Sequence, residues 1–301
     1  MRTSSFFRTS LFTLVLVCIP LLALAAHGEP VKVDPRPAIV LASFGSTDPD
    51  AQKVQEEFVK AAVERYAPIP VRLAVTSRLV QRVVREKGGE APSLFRVLAD
   101  LGDQGYTHVA VQSMHVVAGE EFKGVMEIAE AQAGLPKGIT RIAVGNPLVA
   151  SNDDAEALAG ALLTSLPADR KAGEAVVFVG HGTEGTGGLI YPALQWHLQA
   201  KDAGLHASTV EGVPSMDDTL NALPPAQKSG KTRVWLAPLL ALAGEHTRND
   251  IMGDEDDSWK STLTARGYTC MPVNRALLAI PAVRDLWFNH LDEALEELGI
   301  H

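Results

Sequence analysis

Three short segments of the chain set a metal-ligating side chain among small residues: Gly180-His181-Gly182-Thr183, Val210-Glu211-Gly212-Val213-Pro214 and Ala243-Gly244-Glu245-His246. Two imidazoles and a carboxylate form a mixed nitrogen and oxygen donor set, which suits borderline divalent metals such as Co2+, Ni2+, Fe2+ or Zn2+. None of the three segments carries a thiolate, which argues against a closed structural zinc site. Glycines beside His181 and Glu211 leave room for a ligand to approach closely. His115, in Gln112-Ser113-Met114-His115-Val116, is a further candidate as a ligand or a substrate contact. Other chemistries lack their motifs: there is no Gly-x-Ser-x-Gly elbow for acyl transfer and no phosphate loop ending in Lys-Ser/Thr. Gly180 stands where a histidine phosphatase would need arginine before its His-Gly pair.

Rigid elements must bring these side chains to one edge. From Pro37 onward, short β-branched runs alternate with longer amphipathic stretches, the pattern of βαβ units and a parallel sheet. Strands are predicted over 38–44, 71–76, 108–113 and 140–144, with helices over 50–66, 93–101 and 121–133. Asp48 and Asp50 are suitable N-caps for the first of these helices. After Pro147 the rhythm restarts with helix 153–166, strand 175–180, helix 191–203, strand 207–210, helix 216–223, strand 233–238, helix 258–266 and strand 269–273. A last helix is predicted over 281–298. Open parallel sheets bind ligands beyond the carboxyl ends of their strands. His181, Glu211 and His246 each follow a successive strand of the second half, so one sheet delivers all three to one edge.

The two halves also repeat each other in letters. Residues 38–45 parallel 175–182 at an offset of 137, and Val109 through Glu121 parallels Val234 through His246 at an offset of 125. A duplicated α/β domain accounts for both. Phe44 then occupies the place of His181, and Glu121 that of His246. The second half is expected to hold the metal while the first supplies the opposing wall.

The 301 residues carry 27 Lys+Arg against 36 Asp+Glu, a formal charge of −9, with basic residues scattered along the chain. Nucleic acid is therefore not an expected partner. Arg2 and Arg8, the apolar run 11–25 and the Ala23-Leu24-Ala25 site have the form of a cleavable secretory signal, residues 1–28, cut after Ala25 or Gly28. Its apolar core is shorter than the roughly 20 residues a bilayer span needs. Removing Arg2 and Arg8 takes the charge from −9 to −11 and leaves Cys270 as the one cysteine. The expected mature protein is periplasmic, without stable membrane insertion.

Taken together, Val179-Gly180-His181-Gly182-Thr183, Thr209–Pro214, Ala241–His246 and Asn249–Asp254, with Gln112–Val116 in the first half, resemble the anaerobic cobalt chelatases that insert cobalt into sirohydrochlorin. The resemblance covers essentially the whole chain after the leader. It implies two flavodoxin-like (Rossmann-like) α/β domains with parallel sheets facing across a cleft, at 36–146 and 147–275. A C-terminal helix, 281–298, would pack back on the first domain. It also implies a catalytic and metal-binding trio of His181, Glu211 and His246, with Co2+ as the metal and Fe2+ or Ni2+ as variants. The substrate would be a sirohydrochlorin-type tetrapyrrole. Such a macrocycle carries many carboxylates, so Arg78 and Lys123, near carboxyl ends of first-half strands, join His115 as candidate contacts. Because cobalamin synthesis is ordinarily cytoplasmic, export raises an alternative: a periplasmic carrier of metal or of a tetrapyrrole such as haem on a chelatase scaffold. A homo-oligomer is compatible with either reading.

Overall fold

The structure, a computed structural model, describes residues 34–227, 232–244 and 247–301, without the side chains of 247 and 248. The predicted signal segment lies outside the described residues, as do Glu245 and His246. Among the described residues no helix is long and apolar enough to cross a membrane.

Among the described residues, eight strands form two four-stranded, fully parallel sheets. The first contains β1 (Pro37–Ser43), β2 (Val71–Val75), β3 (His108–Ser113) and β4 (Arg141–Gly145), in the order β2-β1-β3-β4. The second contains β5 (Ala175–Gly180), β6 (Leu205–Thr209), β7 (Arg233–Pro238) and β8 (Thr269–Pro272), in the order β6-β5-β7-β8. One strand order used twice is what the letter repeat predicts. The central strands read as continuous apolar runs because helices cover both of their faces, and β5 is buried along its whole length.

The helices are α1 (Pro49–Arg65), α2 (Arg78–Glu86), α3 (Leu94–Asp103), α4 (Glu120–Gln132), α5 (Asn152–Leu163), α6 (Ile190–Lys201), α7 (Met216–Ala222), α8 (Trp259–Ala265) and α9 (Pro281–Glu297). Short polar residues start most of them. Asp48 accepts the Ala51 N–H at 2.9 Å to cap α1, with Pro49 in the first turn. Capping boxes open α5 (Ser151 with Asp154) and α7 (Ser215 with Asp218).

Three features differ from the sequence reading. The segment after β2, to which the sequence reading assigns no element, forms the helix α2, capped by Ser77 through the Val80 N–H. The helix expected over 153–166 stops at Leu163, because the hydroxyls of Thr164 and Ser165 donate back to the Ala161 and Leu162 carbonyls. The strand expected over 207–210 starts earlier: Asp202 accepts the Gly204 N–H, which turns the chain so that Leu205 pairs with Val176.

The last helix, α9, lies against β3, β4 and α5. On it, Trp287 and Phe288 meet Phe58 of α1, edge-on and stacked, with ring centroids 6.1 and 5.0 Å apart. One contiguous apolar cluster therefore includes Ile39 and Leu41 of β1, Phe178 of β5, Trp235 of β7 and Trp287 of α9. Two smaller clusters fill the other face of each sheet.

Candidate metal and macrocycle site

His181 and Glu211 leave the carboxyl ends of neighbouring strands and are fastened to each other through the backbone. Past the ladder, the Val210 N–H donates to the Gly180 carbonyl at 2.9 Å and the Glu211 N–H to the His181 carbonyl at 2.8 Å. Gly182 has φ +93°, and a Cβ there would overlap the Glu211 carbonyl oxygen, so only glycine lets the two loops touch. The Glu211 loop is anchored from behind. Thr209 Oγ1 and Ser208 Oγ both donate to the Pro214 carbonyl at 3.0 Å, while Thr219 Oγ1 donates to Ser208 Oγ at 2.9 Å.

Tyr191, at the start of α6, supports the His181 loop in a way the sequence did not reveal. Its ring lies against Gly180, and its hydroxyl accepts the Gly182 N–H at 3.4 Å. A buried aromatic on a helix reads as core, and only the neighbouring Gly180-x-Gly182 pattern hints that a ring fills the space. Among the described residues no three metal-binding side chains gather into one cluster. The third donor predicted from sequence, His246, is outside them, and the chain is described up to Gly244, beside Ser46 of the first half.

The first sheet turns the same edge towards this region. Gly244 stands so close to Ser46, after β1, that a Cβ would come within 3.0 Å of its Oγ. A second approach joins Ala118-Gly119, before α4, to the loop after β5. A Cβ at Gly119 would lie 2.8 Å from Thr183 Oγ1, and one at Gly187 would overlap the Ala118 carbonyl oxygen. The carboxyl-end loops of both sheets thus meet at two points. A cavity of about 180 Å³ lies between Asp48 and Val54 on one side and Ala243, Asn274 and Arg275 on the other. That volume is below the range of pockets for drug-sized ligands, so a tetrapyrrole would need the open edge rather than this cavity.

His115 is held on that first wall. Its Nδ1 is 2.9 Å from Ser113 Oγ, its Nε2 is 3.4 Å from Thr76 Oγ1, and its carbonyl accepts the Leu148 N–H at 2.9 Å. Burial pushes the imidazole pKa down to about 4, so it is neutral at pH 7. Phe44, the counterpart of His181 in the repeat, is 43% exposed beside it in sequence register, on the next strand end. Arg78 is exposed in the first turn of α2, directly after Thr76 and Ser77. Lys123 is exposed on α4, 3.8 Å from Glu120.

The family model for cobalt chelatase (CbiK) matches residues 37–296. The chain belongs to the cobalt chelatase family. It is 37% identical over 260 residues to the sirohydrochlorin cobaltochelatase CbiKC of Nitratidesulfovibrio vulgaris, covering 86% of this chain and 91% of that protein. To the sirohydrochlorin cobaltochelatase of Salmonella typhimurium it is 32% identical over 262 residues, covering 86% and 96%. Among solved structures, SirB from Bacillus subtilis with Fe3+ superposes with a TM-score of 0.61 at 14% identity, covering 88% of this chain and 98% of that one. The SirB of B. subtilis subspecies spizizenii in complex with cobalt gives a TM-score of 0.57 at 14% identity, covering 87% and 96%. At such identity these likenesses concern the fold: paired parallel α/β sheets, shared with the chelatases.

Proposed function

We propose that this protein is a sirohydrochlorin cobaltochelatase that works in an exported form, placing Co2+ in a sirohydrochlorin-type tetrapyrrole; Fe2+ or Ni2+ would fit the same donors. The observation that carries this reading is the backbone lock between His181 and Glu211 at adjoining strand ends, in a chain of the cobalt chelatase family. Insertion forms four metal–nitrogen bonds, releases two pyrrole N–H protons and strips water from the metal. His181 and His246 hold the metal, and Glu211 completes its coordination or accepts a pyrrole proton. On the facing wall, neutral His115, with Ser113 and Thr76 at its ring nitrogens, is a macrocycle contact beside the apolar surface of Phe44, while Arg78 and Lys123 meet carboxylates.

Purified protein given Co2+ and sirohydrochlorin should form the cobalt complex, followed by its absorbance change. His181→Ala should lower turnover by about 100-fold to 10,000-fold, the range of a lost acid–base or ligand contribution. Wild-type turnover in that variant would remove His181 from the site. Binding of metal or macrocycle without turnover would instead mark a carrier. Export is supported by Arg2, Arg8, the apolar run 11–25 and Ala23-Leu24-Ala25. Mass measurement after cell fractionation should find a chain beginning near residue 26 or 29 in the periplasm; an intact Met1 start in the cytoplasm would refute it.

A further inference from the structure

We propose that α2 is an electrostatic capture track for the polycarboxylate macrocycle, leading it to the site from outside; this rests on the chelatase reading above. Arg78, Arg82 and Arg85 follow one another at helical spacing and share one exposed face of α2. Lys87 extends the basic run, and Glu86 is its single acid. Among the described residues, no ion pair holds any of the three arginines, whereas Arg65, Arg170 and Arg233 each pair with a carboxylate. The chain as a whole is acidic, at −9, so this stripe stands against its background.

The placement of the stripe gives it a direction. At the inner end, the Ser77 N–H donates to the Phe44 carbonyl at 3.4 Å, Val80 packs against Gly45, and Thr76 meets His115. From Arg78 to Arg85 the helix rises about 10 Å, comparable to the Debye length at 0.1 M salt. Arg82 and Arg85 therefore project positive potential outward from the mouth, where a polyanion would otherwise meet net repulsion. Acid pairs stand in the first turns of three helices that follow strands, Glu120-Glu121 in α4, Asp153-Asp154 in α5 and Asp217-Asp218 in α7, and α1 has Asp50 there, while α6 and α8 have none. In α2 the first turn has Arg78 and no acid, which opposes the helix macrodipole. Helix stability does not explain that choice. Attraction of an anion does. Exposed Leu79 and Phe44 at the inner end give a flat ring an apolar surface to meet once its carboxylates are drawn in.

Stopped-flow mixing of sirohydrochlorin with the full, metal-free protein, read by macrocycle fluorescence, tests this. Arg82→Glu with Arg85→Glu should slow association roughly tenfold in ~20 mM salt and leave it within about twofold of wild type in ~0.5 M salt. The dissociation rate should barely change, and Co2+ affinity, set by the second half, should hold as a check on folding. Arg82→Gln with Arg85→Gln should fall between, and Lys at both positions should restore the wild-type rate. Equal association rates for wild type and the Glu pair in low salt, or a loss that ignores charge and salt, would overturn the proposal. A wild-type protein that neither binds nor metallates sirohydrochlorin would refute the chelatase reading instead.

Discussion

At the scale of single residues, His115 shows how burial decides a protonation state. The lowered pKa of about 4 comes from desolvation, which disfavours the imidazolium. Between about pH 6.5 and about pH 4 the unfolded chain binds a proton here that the folded chain excludes. Stability is thus fully present above that window and falls as pH drops through it, by up to roughly 3 kcal/mol from this group. His108 and His206, also lowered by burial, act in the same direction. Urea unfolding at pH 7.5 and pH 5 should show the loss, and His115→Gln should flatten it; an unchanged pH slope in that variant would show that His115 titrates normally. The position of His115 after a strand was legible from sequence, but its two hydroxyl partners were not, since Thr76 belongs to another strand end.

Among elements, the loop from His181 to Leu189 is defined by which glycine does what. Gly182 combines φ +93° with a hydrogen turned onto the Glu211 carbonyl, whereas Gly185, at φ +75°, has open space around it. Alanine at either position carries the left-handed backbone cost of roughly 1–2 kcal/mol. Only at 182 must the Glu211 loop also move. Gly182→Ala should therefore weaken Co2+ binding by at least about tenfold, measured by titration calorimetry, while Gly185→Ala should lower the melting temperature and leave affinity near wild type. Equal affinities in the two variants would mean that the His181–Glu211 contact does not set the metal site. A different contact governs the space between the halves. Gly187→Ala pushes on the Ala118 carbonyl, so it should raise the macrocycle concentration needed for half-maximal rate more than it changes metal affinity; the reverse pattern would place the damage at the metal ligands.

For the whole molecule, the decisive feature is that the largest apolar cluster runs through both sheets and is closed by α9. Trp287 is fully buried there, and Arg65 and Tyr66 of the α1 end reach Asp292 of α9, each at 2.8 Å. Trp287→Ala should cost about 3–5 kcal/mol. Because both halves share this cluster, calorimetry should show one transition, shifted down as a unit. Two separated transitions would show that the halves melt independently. The shared core also favours changes local to the loops over a free swing of one sheet against the other.

The sequence by itself determined the alternation of strands and helices and the repeat, and it marked His181, Glu211 and His246 as candidate donors, because these are written in local periodicity and in residue type at strand ends. It did not determine what meets what. The arginines of α2 read as scattered along a chain of mixed charge and become one stripe only when the segment coils at 3.6 residues per turn. The strand order brings β5 beside β6 so that His181 and Glu211 can bond, and the loops at Ser46 and Gly244, Gly119 and Thr183 close on each other. Those contacts join residues far apart in the chain, where no local pattern fixes the partner. Only packing in three dimensions, with glycine wherever backbones must touch, decides them.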